Sequence, residues 1–274
     1  AAICAALGAV AFFVYSFKNK ESIVDLKLFS DRNFAAASAV IAGFAVSMFG
    51  GIAILPLFVQ GLLGYPVIEA GNLFIPRGLA AGFSMVITGA VLSNRFDPRL
   101  LAAVGLVLTA QSNFMMGALN LQADFWQLAW PGIVGGLGMG LVFVPLSTLA
   151  FDNISSEKQD EASGLYGVPR QLGSSIGIAI VGAMVVRGIT TESTHLTEFI
   201  TPYSSQVSQY LAPLGLTADS AMGAAVLSAE VAKQAALSSY LNVFTMLGYA
   251  AAALLPLLLL MRKPIHHGGG AVAH

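Results

Sequence analysis

Two arginines, Arg77 and Arg170, stand inside runs that carry no other charge, residues 70–94 and 162–186. Counted from Glu69 and Glu161 along a helix, each lies about 12–14 Å deep. At that depth a guanidinium is costly unless it meets water, protein or a counter-charge, so neither is expected to face lipid. No aspartate or glutamate sits comparably deep in any apolar run, which places no carrier of protons there. A metal or hydrolytic centre has no support either. Cys4 is the single cysteine, and His195, His266, His267 and His274 do not gather with carboxylates inside the apolar runs. The lysines (Lys18, Lys20, Lys27, Lys158, Lys233 and Lys263) all fall outside or at the edge of those runs, which excludes a retinal Schiff base. No cofactor is expected, and an embedded enzyme is disfavoured.

The elements that must position the two arginines follow from the charge distribution. Of 274 residues 56% are hydrophobic and 10% charged, and the mean hydropathy is +0.77; soluble domains carry roughly 25% charge. A net charge of −1 offers no basic field for nucleic acid. Residues 33–68, 100–123, 125–151 and 234–261 are uncharged, and the two arginine-bearing runs complete a set of six stretches long enough to span a bilayer. Spans are predicted at 34–59, 70–93, 100–119, 128–150, 162–186 and 237–261, all helical because the runs are long and unbroken. Residues 1–17 are also uncharged but cover only about 25 Å, so a seventh span is expected to be cut short. The fold class is an all-α, polytopic membrane helical bundle.

Sidedness follows from the basic residues. Taking alternate connections, one side receives Lys18, Lys20, Lys27, Arg32, Arg95, Arg99, Lys158, Arg262 and Lys263, and the other only Arg187 and Lys233. By the positive-inside rule the first side is cytoplasmic, as is the tail at 262–274. Residues 18–33 form a cytoplasmic connector, either a short interfacial amphipathic helix or a solvated linker. Residues 187–236 form an outer loop in which the alanine-rich stretch from Ser220 to Ser238 suits a small surface helix. Glycines 132, 136 and 140, and likewise 173 and 177, repeat every fourth residue and predict close helix packing, while Pro56, Pro76, Pro145, Pro169 and Pro256 are candidate kinks.

Several stretches, in order, carry a resemblance: Leu55-Pro56-Leu57-Phe58-Val59-Gln60, Leu63-Gly64-Tyr65-Pro66, Pro76-Arg77-Gly78, Gly89-Ala90-Val91-Leu92-Ser93-Asn94-Arg95-Phe96-Asp97-Pro98-Arg99, and Pro169-Arg170-Gln171-Leu172-Gly173. With His195, Leu196, Glu198 and Thr201-Pro202-Tyr203 in the outer loop, they resemble the second half of a major facilitator transporter of the 14-span drug:proton antiporter group, the EmrB/QacA type. The resemblance implies a C-terminal six-helix half (34–261) preceded by the end of a linker helix (1–17), with the N-terminal half missing. In such proteins the proton-linked carboxylates belong mainly to that other half. The implied activity is proton-coupled export of lipophilic or cationic drugs from a cell (inner) membrane by alternating access. A same-fold carrier of one metabolite, siderophore or lipid is the alternative.

The resemblance also implies site residues. Cavity candidates are Met48, Phe49, Phe58, Gln60, Asn72, Phe74, Phe143 and Gln171, a soft apolar, aromatic and hydrogen-bonding set, together with Arg77 and Arg170. The turn at 89–99 resembles a cytoplasmic latch: Gly89 allows close approach, and Arg95 and Arg99 are placed to bond carbonyls at neighbouring helix ends. Asn94 stands where the family pattern has aspartate, leaving Asp97 as the remaining acidic group. The expected partners are the other half, the lipid bilayer, a lipophilic substrate and protons, with the outer loop available to a periplasmic adaptor as in some family members.

Overall fold

A computed structural model of the chain describes residues 26–93, 95–199, 205–217 and 220–261. The expected partial helix at 1–17, the connector up to residue 25, and the tail from 262 onward lie outside the described residues. All regular structure among the described residues is helical, and six helices are long and apolar enough to cross a membrane. They are α1 (Arg32–Gly61), α2 (Val67–Leu92), α3 (Pro98–Gly117), α4 (Phe125–Phe151), α5 (Gln159–Phe199) and α6 (Ala221–Ala252). In hydrocarbon every backbone donor and acceptor must be satisfied within the segment, and the helix achieves that.

The helix starts are set by short polar residues at the boundaries of the apolar runs. Asp31 accepts from the amides of Asn33 and Phe34, both at 2.9 Å. Asp97 accepts from the Arg99 amide at 3.0 Å, with Pro98 at the first helical position. Asp124 and Gln127 form a reciprocal capping box, and Ser220 caps α6 through the Gly223 amide at 3.0 Å. Each cap satisfies one or more amides that the first turn leaves unpaired. Between α1 and α2 the chain turns at Gly64, whose φ of 75° favours glycine.

Of the five prolines read as candidate kinks, two break helices and three do not. Pro76 has no amide to bond the Asn72 carbonyl, and α2 is interrupted at Leu73 between Val67–Asn72 and Phe74–Ile87. Pro256 likewise offers nothing to Ala252, where α6 ends before a short turn of helix, Leu255–Leu258. Pro56, Pro145 and Pro169 lie inside continuous helices. At its far end α2 widens into a π-helical turn, Thr88–Leu92, closed by the Ser93 amide and hydroxyl, which donate to the Thr88 carbonyl at 2.9 and 2.7 Å.

Helices α3 and α4, α2 and α4, α1 and α5, α3 and α6, and α5 and α6 are the principal neighbours, with α1 also meeting α4 and α6. The predicted glycine faces are the contact surfaces. A Cβ on Gly140 would lie 2.5 Å from the Met85 amide and 2.5 Å from Ser84 Oγ of α2, and one on Gly177 would lie 2.6 Å from the Val46 carbonyl of α1. Serine hydroxyls add interhelical bonds: Ser47 to the Leu247 carbonyl at 2.9 Å, Ser84 to Leu137 at 2.7 Å and Ser239 to Val185 at 2.9 Å. The apolar core divides along the bundle axis into one cluster around Phe34, Phe44, Leu106, Leu146 and Leu258 and another around Phe58, Leu128, Val185 and Phe244.

The stretch read as an outer loop differs in form. Helix α5 continues through residues 187–199, and α6 begins at Ala221, so the alanine-rich surface helix is the first part of the last span. A helix of 41 residues is about 60 Å long, roughly twice a hydrocarbon core. Asn242 Nδ2 of α6 donates to Glu192 in the projecting part of α5 at 3.4 Å. Short helix Ser205–Leu211 joins them, with Tyr210 donating to Glu230 at 3.4 Å.

Candidate functional site

Arg77 reaches the bundle interior because α4 is glycine where α2 crosses it. A Cβ on Gly132 would stand 3.6 Å from Arg77 Cβ, and one on Gly136 would collide with the Arg77 carbonyl. The half-buried arginine borders a small cavity of about 20 Å³ that also touches Ser47 and Met48 of α1, Thr109, Ser112 and Asn113 of α3, and Gly135 of α4. That volume is enough for one water. No carboxylate lines it. The neutral polar groups are largely committed: Asn113 Nδ2 donates to the Thr109 carbonyl at 2.9 Å and to Ser47 Oγ at 3.4 Å, Ser112 donates to Pro131 at 2.6 Å, and Thr109 to Gly105 at 2.9 Å.

Arg170 takes the other role available to a cation at this depth. Its side chain is exposed, and its guanidinium lies 6.0 Å from the centre of the Phe143 ring, at the limit of cation–π attraction. Phe143 meets Phe44 edge-on at 5.4 Å. Helix α4 thus carries both arginine contacts, glycine toward Arg77 and an aromatic face toward Arg170.

The structure brings Met48 together with Arg77, and Phe143 with Arg170. It does not bring the remaining cavity candidates into one pocket. Phe58 is fully buried between Tyr240 and Phe244, at 5.5 and 6.2 Å. Phe49 and Phe74 are half-buried against the two apolar clusters, Gln60 is half-buried near the end of α1, and Asn72 and Gln171 are exposed. Thr109, Ser112 and Asn113 were not among the candidates. Their spacing of three and four residues, a single polar face in an uncharged span, was the available signal.

At the turn between α2 and α3, Gly89 lies exposed in the π-helical turn and Arg95 is exposed. Asn94 lies outside the described residues. Asp97 acts as the cap of α3. Arg99 Nε and Nη2 are buried without a hydrogen-bond partner, so these two atoms do not bond helix-end carbonyls. At the opposite end Tyr65 donates to the Ala123 carbonyl at 3.1 Å. Burial first, then the charges of Asp124 and Glu69, hold its phenol above the usual tyrosine range.

An arginine keeps its proton, so the two guanidiniums can attract negative charge or order water but cannot relay protons. No group of His, Cys, Asp and Glu among the described residues could hold a metal. Comparison with known proteins decides the family: the model of the Major Facilitator Superfamily matches residues 1–178. The chain belongs to that superfamily. As a major facilitator protein it is 29% identical over 263 residues to fatty acid resistance protein FarB of Neisseria gonorrhoeae, covering 94% of this chain and 51% of that one. It is 28% identical over 271 residues to multidrug export protein EmrB of Escherichia coli (strain K12), covering 97% and 52%. A multidrug resistance protein B homolog of Mycobacterium tuberculosis is 30% identical over 179 residues, 64% of this chain and 33% of that protein. The chain spans about half the length of the first two of these relatives. Superfamily members are in general transporters and not enzymes, and the bundle is a multi-pass membrane protein.

Proposed function

We propose that this chain forms the C-terminal half of a proton-coupled exporter of lipophilic or cationic compounds. The observation that carries the reading is the pairing of two membrane-depth arginines with six spans that hold no carboxylate at comparable depth. Such a half supplies fixed positive charge and walls, and the proton-carrying carboxylates belong to an N-terminal half. The names of the relatives, multidrug export and fatty acid resistance, supply the cargo class. Helices α2 and α5 leave Ile75, Leu79 and Phe83, and Leu172, Ile176 and Ile180, exposed, and these flanks are where the other half docks. Rocking of the halves exposes Arg77, Arg170, Met48 and Phe143 alternately to the two sides; Phe49, Phe58, Gln60, Asn72, Phe74 and Gln171 contribute to the wall as it rearranges. The turn holding Gly89, Asn94, Arg95, Asp97 and Arg99 faces the cytoplasm of an inner membrane, as does the C-terminus, and the projecting ends of α5 and α6 face outward, available to an adaptor.

Dye efflux from cells producing the full-length protein tests this reading. Energy-dependent exclusion of several unrelated lipophilic cations, abolished by an uncoupler, is expected. Movement of one narrow metabolite instead overturns the drug assignment. The 274-residue chain by itself in liposomes is expected to show no saturable exchange of dye for protons, and robust exchange would contradict the division of labour.

A further inference from the structure

Helix α3 packs mainly on α4 and α6, so its outward face is separate from the exposed flanks of α2 and α5. That face carries Leu100, Val104 and Val107, which are 57%, 44% and 51% exposed, and Gln111, exposed as well. Their spacing of four, three and four makes one stripe along the helix. Gln111 stands about 20 Å past Pro98 in a span of 20 residues, and none of the described residues bonds its carboxamide. Turned to acyl chains, the carboxamide would lose its water and gain nothing; against another helix it finds a partner. At the foot of the stripe a groove of about 720 Å³, open on one side, separates Leu100 and Ala103 from Pro256 and Leu259 at the end of α6.

The chain ahead of Leu26 supplies an occupant of the right size and place. Residues 1–17 are uncharged and cover about 25 Å as a helix, against about 30 Å for α3. They precede α1, so their last residue lies on the same side of the membrane as the starts of α1 and α3, which are two crossings apart. The groove opens on that side, and the short helix Leu255–Leu258 on its wall also packs on α1. Residues 18–25 bridge about 26 Å when extended, enough to pass one or two helices spaced about 8–10 Å apart. With the ends of the two antiparallel helices level, Tyr15 falls opposite Leu100, Ala11 opposite Val104, Gly8 opposite Val107 and Cys4 opposite Gln111. These positions repeat the four-three-four spacing of the stripe and form a face of mostly small residues, while Ile3, Leu7, Val10 and Val14 share another. Small residues let the backbones approach, and the larger side chains of α3 fill the space between them. We propose that residues 1–17 dock as a helix on the outward face of α3, in the register that brings Cys4 to Gln111. The inference requires the bundle to span a membrane and does not require it to export drugs.

Disulfide trapping in the full-length protein, in membranes, tests it. Every cysteine but Cys4 is replaced by serine, and a protease site is inserted after Lys20. A disulfide needs Cα atoms within about 7 Å, so the bond reports register as well as proximity. On oxidation with copper phenanthroline, Gln111→Cys is expected to link to Cys4, and the two pieces of the cleaved chain then migrate together until reduced. Phe83→Cys, at a position 65% exposed on α2, is the control and is expected to stay unlinked. In a Cys4→Ser background, Ala11→Cys with Val104→Cys is expected to link in the same register; should Gln111→Cys fail to accumulate, this pair decides alone. If neither pair links, lipid covers the face and the proposal falls. Linking of one pair and not the other, where both variants fold, overturns the register. A bond from Gln111→Cys of one molecule to Gln111→Cys of another gives the face to a second copy and also overturns the proposal, as does linking of Cys4 to Phe83→Cys as complete as to Gln111→Cys. Transport is not read, so failure of the exporter reading leaves this result separately visible.

Discussion

Replacing Gly136 by alanine adds one methyl where α4 lies against the α2 backbone. The new carbon would collide with the Arg77 carbonyl and stand 3.1 Å from both Ala80 Cβ and the Ala81 amide. Two of these three neighbours are backbone, which cannot swing aside, so α2 must retreat as a unit. Overpacking of this kind costs about 1–3 kcal/mol, and alanine recovers about 0.5–1 kcal/mol of helix propensity over glycine. The net expectation is a loss of about 1–2 kcal/mol, a factor of roughly 5–30 in the unfolding equilibrium. Gly82→Ala on α2 is the matched control, because nothing lies within 4 Å of its Cβ position, and it should be neutral or stabilising by up to about 1 kcal/mol. Titration of the folded bundle with a denaturing detergent, followed by circular dichroism, measures both. If the two variants shift the midpoint in the same direction by the same amount, close backbone contact between α2 and α4 is not what seats Arg77, and the account of the pocket fails.

Arg170→Ala, at matched expression in the full-length protein, should lower dye efflux at least severalfold, although its contact with Phe143 accounts for only about 0.5–1 kcal/mol of stability; unchanged efflux counts against its place in the pathway. Tyr65→Phe should destabilise by about 0.5–1.5 kcal/mol at neutral pH through loss of the bond to Ala123. The Tyr65 phenol is held above its unfolded value, so its protonated form is favoured by folding. That contribution is complete below the ordinary tyrosine pKa and is lost as pH rises through the raised one. The parent's advantage over Tyr65→Phe should therefore shrink in strong alkali, and phenolate absorbance that rises at the unshifted pKa would refute the assignment. With Cys4 and every other cysteine of the full-length protein replaced by serine, Arg95→Cys should react with a membrane-impermeant thiol reagent only in inside-out vesicles; labelling from the outside of intact cells reverses the topology.

How much of this was legible from residues alone depended on which force set each feature. The six spans were, because burying charge in hydrocarbon is costly and Asp31, Asp97, Asp124 and Glu161 mark where apolar runs meet water. The glycine faces of α4 and α5 were too, since a four-residue repeat leaves helix packing as the simplest use. The ends of α5 and α6 were not: hydropathy falls away near Arg187 and Lys233, whereas both helices run on, α6 through an alanine-rich stretch of high helix propensity and α5 through residues 187–199, which hold no alanine. Pro76 could be read as a break, but so could Pro56 and Pro169, which interrupt nothing. In the site, Arg77 and Arg170 stood out by charge, whereas the aromatic candidates scattered, since phenylalanine fills apolar core as readily as it lines a pathway. The burial of Arg99 Nε and Nη2 without a partner is a relation between distant segments that no local pattern contains.

The π-helical turn at Thr88–Leu92 sets how the gene can change in length. The hydrogen bond there spans five residues in place of the usual four, so removing one codon would restore ordinary α-helix while rotating everything that follows by about 100°. Arg95, Asp97 and the start of α3 would then leave α2 in a new direction, with a connection too short to compensate. Single-residue deletions should accordingly be selected against here, while in the joint between the projecting ends of α5 and α6 they should be tolerated.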